Sequence, residues 1–225
     1  MVPGGEDARD VRGFRRERPH VAVDVRVGTS GWSYPSWRPG FYPAGLDPSG
    51  FLGFYAERFS TVELNTTGYR LPAEEQFRRW AEQAPDGFEF APKLPGERPG
   101  IVAEFEDRVR FLGDRLGPIR ISLKRKRDEG MLELLLGSLD PSLRLAFDLE
   151  HPSWEGIEPR LAELGAVRVD DLEHPAPFRY LRRREPPDEA FAAAVAGARE
   201  PVYVYFRHED KPTAPAYAAR LLEML

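Results

Sequence analysis

Three short stretches of this 225-residue sequence carry most of the side chains able to do chemistry. Gly28 to Trp37 reads G-T-S-G-W-S-Y-P-S-W, so Thr29 and Ser30 lie between two glycines with Trp32, Tyr34 and Trp37 close behind. Hydroxyls beside large rings suit a cleft wall with adjustable hydrogen bonds. Glu63 to Arg70 reads E-L-N-T-T-G-Y-R, bringing Glu63 and Asn65 ahead of Tyr69 and Arg70. Asp148 to Trp154 reads D-L-E-H-P-S-W, setting His151 directly after two carboxylates and before a proline stop. A carboxylate that orients an imidazole is the usual arrangement for general acid–base work. The same ligand types also suit zinc or manganese. Four histidines, no cysteine and no H-E-x-x-H spacing speak against a metal. No Gly-rich phosphate loop follows a strand pattern, so no nucleotide cofactor is expected.

Eight strand patterns position these stretches: Val23–Thr29, Thr61–Asn65, Phe88–Lys93, Ile119–Lys124, Leu143–Glu150, Ala166–Asp170, Phe178–Arg182 and Val202–Phe206. Helical stripes fall between most of them, among them Phe51/Phe54/Tyr55/Phe59, Phe77/Trp80/Ala81/Ala84, Phe105/Val109/Leu112/Leu116 and Leu132/Leu135/Leu136/Leu139. Between Asp170 and Phe178 there is no room for a helix. Alternating strands and helices predict a parallel sheet, closed or open. An open doubly wound sheet is covered on both faces and reads apolar throughout. Here the strands alternate: Val62 and Leu64 with Glu63 and Asn65, Ile119 and Ile121 with Arg120 and Ser122, Phe147 with Asp148, Val167 and Val169 with Arg168 and Asp170. One apolar and one charged face predict an α/β fold of the (β/α) TIM-barrel type with about eight parallel strands. Val62, Leu64, Phe147 and Val169 should pack under helices, and Glu63, Asn65, Asp148, Arg168 and Asp170 should face inward, with Arg26 able to pair with Glu63.

In such a barrel the site lies where the strands end. Lys93, Lys124, Arg182 and Arg184 would clamp an anion. Glu63, Asp148 and His151 would handle protons, and Thr29, Ser30, Trp32, Asn65, Tyr69 and Arg70 would complete the substrate contacts. Asp170, Asp171, Glu150 and His208 are further strand-end candidates. The rings of Trp32, Tyr34, Trp37, Tyr42 and Trp154 suit loop packing better than ligand stacking.

A net charge of −5 supplies no global attraction for nucleic acid. Without cysteine there is no disulfide framework, and no stretch reaches membrane-spanning length, so a cytoplasmic protein is expected. Residues 1–20, rich in arginine, read as a flexible arm ahead of one domain over 21–225.

From about Val25 onward the sequence resembles the YecE-like family, domain-of-unknown-function family seventy-two. The resemblance rests on G-T-S-G-W-S-Y at Gly28–Tyr34, F-Y-P at Phe41–Pro43 and F-Y-A-E-R-F-S-T-V-E-L-N-T-T-G-Y-R at Phe54–Arg70. It continues in R-R-W-A-E-Q-A-P at Arg78–Pro85, H-P-S-W at His151–Trp154 and V-Y-V-Y-F at Val202–Phe206. It implies a (β/α) barrel and no settled activity. Departures fall at strand ends: I-S-L-K at Ile121–Lys124 replaces F-Q-L-P, Glu150 stands at an Arg position, Arg184 at a His position, and Arg207 and His208 replace an Asn pair.

Three readings remain open. The first is an enzyme acting on a small anionic, phosphate-ester-like substrate at the mouth, with a metal-dependent hydrolase or nuclease as a sub-case. The second is a non-catalytic barrel that binds a ligand or partner after losing site residues. The third, a nucleic-acid-binding protein using its arginines, is the weakest, because the basic groups are scattered in an acidic chain.

Overall fold

Period-two alternation sorts the side chains of this protein onto two faces, and the structure, a computed structural model describing residues 23–207 and 211–225, follows that sorting closely. The expected arm at 1–20 and His208 lie outside the described residues. Eight parallel strands run β1 (Val25–Ser30), β2 (Thr61–Leu64), β3 (Glu89–Pro92), β4 (Ile119–Leu123), β5 (Leu145–Leu149), β6 (Val167–Arg168), β7 (Arg179–Arg183) and β8 (Val202–Phe206). Among the described residues seven α-helices connect or follow them: α1 (Phe51–Ala56), α2 (Glu74–Gln83), α3 (Pro99–Val109), α4 (Glu129–Ser138), α5 (Glu158–Glu163), α6 (Glu189–Ala196) and α7 (Thr213–Met224). As the spacing predicted, β6 passes to β7 without a helix.

The strands pair as a five-stranded sheet, β3-β2-β1-β8-β7, and a three-stranded sheet, β4-β5-β6. This α/β fold has the expected number and direction of strands, but its ladder is not one continuous ring. The sheet edges touch at isolated bridges Phe90–Leu116 and Lys93–Arg120, and through the Asp170 N–H donating to the Tyr180 carbonyl at 2.9 Å. The reason for the break beside β6 is local: that strand is two residues long, and the chain leaves it at Asp170 with φ +65°. Asp and Asn tolerate this left-handed conformation better than other side chains.

Outward-facing Val62, Leu64, Ile119, Ile121, Leu123, Phe147, Val202, Val204 and Phe206 join the helices in the main core. Helix starts are held by local chemistry. Asp128 accepts from the Met131 N–H at 3.0 Å ahead of α4, and Asp188 from the Phe191 N–H at 2.7 Å ahead of α6. Glu74 and Glu75 sit in the first turn of α2, where negative charge complements the helix dipole. Gly28 is required by close approach: a Cβ there would lie 2.0 Å from the Thr61 carbonyl oxygen. Inward-facing Ala91, Ala146, Val167, Val169, Phe178, Tyr180, Tyr203 and Tyr205 form a second, smaller core between the sheets.

That inner core corrects the expected phase of β6. Val167 and Val169 point inward, and Arg168 reaches out to Glu158 of α5. Asp170 still reaches the inner side because its left-handed backbone reverses the alternation. Arg26 also differs from expectation: it pairs with Asp24 at 2.9 Å and approaches Glu89 at 3.5 Å, at the opposite end from Glu63.

Candidate functional site

Glu63 is the centre of the charged layer above the inner core, with no exposed surface at all. Tyr180 donates its hydroxyl to Glu63 Oε1 at 2.9 Å, Arg182 Nη2 donates to Oε2 at 3.0 Å, and Arg120 Nη1 lies 3.6 Å from Oε1. Burial opposes ionisation of Glu63, but Arg182 and Arg120 overcome it and hold its pKa below the usual range. Arg120 in turn donates Nε and Nη2 to Asp148 Oδ2 at 2.9 and 2.6 Å, and Nη1 to Asn65 Oδ1 at 3.3 Å. Arg182 Nη1 reaches the same Asp148 oxygen at 3.4 Å. Two guanidiniums and two carboxylates thus neutralise one another, as buried charges must.

Above this layer opens a polar cavity of about 200 Å³. Lys93, Arg120, Lys124, Arg182 and Arg207 line it on the cationic side; Asp148, Glu150 and Asp170 on the anionic side; Asn65, Tyr69 and Ser122 complete it. Lys124 is exposed and pairs with Glu150 at 3.3 Å. Among the described residues, no carboxylate lies within ion-pair distance of Lys93 Nζ or of the Arg207 guanidinium. Both have lowered pKa values: burial first, then neighbouring cations, chiefly Arg120 for Lys93 and Arg182 and Arg184 for Arg207.

Lys93 is placed by its neighbours. Thr67 Oγ1 accepts from the Lys93 N–H at 2.9 Å and lies 2.7 Å from both the Leu64 and Lys93 carbonyls, tying the ends of β2 and β3 together. The Lys93 stem crosses Gly68, where a Cβ would meet Cδ at 2.5 Å, and its ammonium sits 5.3 Å from the Tyr69 ring centroid. Asp170 accepts the Arg182 backbone N–H on Oδ1 at 2.6 Å. It meets solvent on its outer side. The protein packed around the rest, and then Asp148 and Glu63, push its pKa up to about 6.

Of the expected site residues, Asn65, Tyr69, Lys93, Lys124, Asp148 and Arg182 meet in this cavity, with Glu63 beneath it. Six others do not line it, Trp32 and Arg70 among them. Thr29 faces the helices, its Oγ1 bonded to the Tyr55 hydroxyl and the Gly31 carbonyl. Ser30 accepts the Tyr34 hydroxyl on its own carbonyl. Arg184 is exposed beyond the rim. His151 caps the turn at Pro152–Trp154, its Nδ1 at 2.9 Å from Ser153 Oγ and 3.1 Å from the Ser153 N–H. No carboxylate among the described residues hydrogen-bonds that ring, which corrects the expected Asp–His or Glu–His pair. Arg120 and Arg207 were undervalued by sequence reasoning; Arg207 continues the inward phase of Tyr203 and Tyr205, a signal already present in β8.

Trp32 and Arg70 line a separate groove of about 760 Å³ beside the cavity, with Asn65 common to both. The other rings pack: Trp37, Tyr42 and Trp154 are fully buried, and Tyr42 stacks on Phe51 with centroids 4.0 Å apart. Among the described residues there is no cluster of three potential metal ligands and no helix long and apolar enough to cross a membrane.

The family model "Protein of unknown function DUF72" matches residues 26–170. The chain belongs to that family. Arg182 and Arg207 lie beyond the matched span. The protein is 31% identical over 142 residues to the UPF0759 protein YecE of Escherichia coli strain K12, covering 58% of this chain and 50% of YecE. The chain thus matches about half the length of that curated relative. A DUF72 family protein of Thermotoga maritima superposes with a TM-score of 0.74 at 23% identity, over 89% of this chain and 98% of that one. Another, from Enterococcus faecalis, gives 0.71 at 15%, over 88% and 94%. At these identities the likeness concerns the fold.

Proposed function

We propose that the two sheets act as one (β/α) barrel whose mouth binds a small oxyanion of the phosphate-ester type, as the first step of an enzymatic reaction on that ligand. The observation that carries this reading is the pair of cations without a carboxylate partner among the described residues, Lys93 and Arg207, over the already neutralised Arg120–Arg182 layer. A phosphate or sulfate would give both cations a partner, with Lys93 as a point charge and Arg207 as a planar donor. Lys124 and Tyr69 form the rim.

Within this reading Glu63 and Asp148 are positioning residues. Each is committed to two arginines and is poorly suited to exchanging a proton. Asp170 is better suited. It has one oxygen engaged by a backbone N–H, stands in the cavity wall and has a pKa raised to about 6. A non-catalytic anion-binding barrel is the second reading, favoured by the structural use of His151.

Thermal denaturation with increasing phosphate or sulfate tests the binding step. A ligand selective for the folded state raises the midpoint. A midpoint unchanged up to tens of millimolar of either anion would remove the reading.

A further inference from the structure

The mouth cavity, at about 200 Å³, lies below the roughly 300–1,000 Å³ range of ordinary small-molecule sites. It holds a charged head and little else. The groove beside it, at about 760 Å³, falls within that range and has a different character. Trp32 and Trp80 meet edge to face with ring centroids 5.4 Å apart, and Leu71 and Pro72 extend that apolar wall. Polar and charged groups line it as well, among them Arg70, Gln76, Glu104 and Arg108. Arg108 is already engaged, with Nη1 on the Pro72 carbonyl at 3.2 Å and Nη2 3.5 Å from Glu104.

Asn65 lines both spaces. Its Oδ1 accepts from Arg120, whereas its Nδ2 has no acceptor among the described residues. A side-chain amide with two available donors thus stands at the junction, where a bridging ester oxygen would lie. We propose that groove and mouth are the two halves of one binding site, and that its ligand is a phosphate monoester of a planar, largely apolar alcohol. The phosphate occupies the mouth, the ester oxygen passes Asn65, and the apolar body lies against Trp32, Leu71, Pro72 and Trp80. This inference rests on the anion reading of the mouth and adds the substrate class.

Isothermal titration with inorganic phosphate, methyl phosphate and phenyl phosphate tests it, with tryptophan emission followed in parallel. Phenyl phosphate should bind at least about tenfold more tightly than methyl phosphate, the gain coming from ring burial. It alone should shift the tryptophan emission. Ala73→Trp, at an exposed groove position just before α2, should abolish the phenyl gain and leave inorganic phosphate binding intact; Gln76→Trp provides the same block one turn along. Phosphate binding with no gain from the phenyl group would overturn this inference alone. So would a gain that survives both blocking substitutions. Failure of all three probes to bind would overturn the anion reading, and this inference with it.

Discussion

Charged layers cap the inner core at both ends of the strands, and they are built from the same residue types to different effect. At the N-terminal end, Glu89 receives Arg144 Nη2 and the Tyr203 hydroxyl at 2.9 Å each, while Arg26 stands 3.5 Å away and takes Asp24 and the Gly87 carbonyl as further partners. Two arginines meet two carboxylates, and the spare donors end on carbonyl oxygens and on the Tyr203 hydroxyl. At the C-terminal end Arg120 and Arg182 are matched by Glu63 and Asp148 in the same way, but Lys93 and Arg207 are then added without carboxylate partners among the described residues. A closed lattice holds the strands together. A lattice with cations to spare does that and, in the reading proposed above, leaves a site for an anion. Charge type and burial therefore do not separate structure from function here; the balance of partners does.

The comparison breaks most visibly if Glu63 is removed. Glu63→Ala leaves two buried guanidiniums facing each other and should cost about 3–5 kcal/mol, read by denaturant titration. Lys93→Ala should change stability by only ~0.5 kcal/mol, because no pair is broken. A large loss from Lys93→Ala, or none from Glu63→Ala, would reverse the roles given to these residues.

Glu89→Gln probes the other end. It should lower stability by about 2–3 kcal/mol and leave sulfate affinity unchanged, since the N-terminal lattice lies across the inner core from the mouth. Changed sulfate affinity in this variant would show the two layers to be coupled.

Asp170 sharpens the account through pH. Its pKa is raised, to about 6, so it is charged at pH 7 and mostly neutral at pH 5. Protonation removes a negative charge from the mouth, and sulfate, whose own charge is constant over this range, should bind roughly three- to tenfold more tightly at pH 5. Asp170→Asn retains a residue that accepts the left-handed backbone and should flatten that dependence. A pH dependence that persists in the variant would assign it to another group.

The smallest effect concerns His151. As the cap of a single turn it should contribute about 1 kcal/mol, so His151→Gln should lower the melting temperature slightly and leave sulfate binding as it was. Loss of binding would return His151 to the site.

Much of the architecture was legible from alternation alone. β4 and β5 showed it plainly, and their inward residues Arg120, Ser122 and Asp148 lie where the pattern put them. β6 misled because its alternation holds with the faces exchanged, Val167 and Val169 inward and Arg168 outward to Glu158, and breaks only at Asp170 with its positive φ. His151 misled for a different reason: adjacency in sequence to Asp148 and Glu150 says nothing about where a ring turns after the strand has ended, and Ser153 takes it. The groove was illegible because its walls come from the β1–α1 loop, the β2–α2 loop, α2 and α3, which only tertiary packing brings together.

In the reading proposed above, Lys93 and Arg207, which have no carboxylate partner among the described residues, are there for a ligand. Isothermal titration of inorganic phosphate into the protein and into a Lys93→Ala/Arg207→Ala double variant tests it most directly. The account predicts that the double variant folds normally and binds phosphate at least about tenfold more weakly, since each charge-assisted hydrogen bond contributes about 1.5–3 kcal/mol. Equal affinity in the two proteins would contradict it.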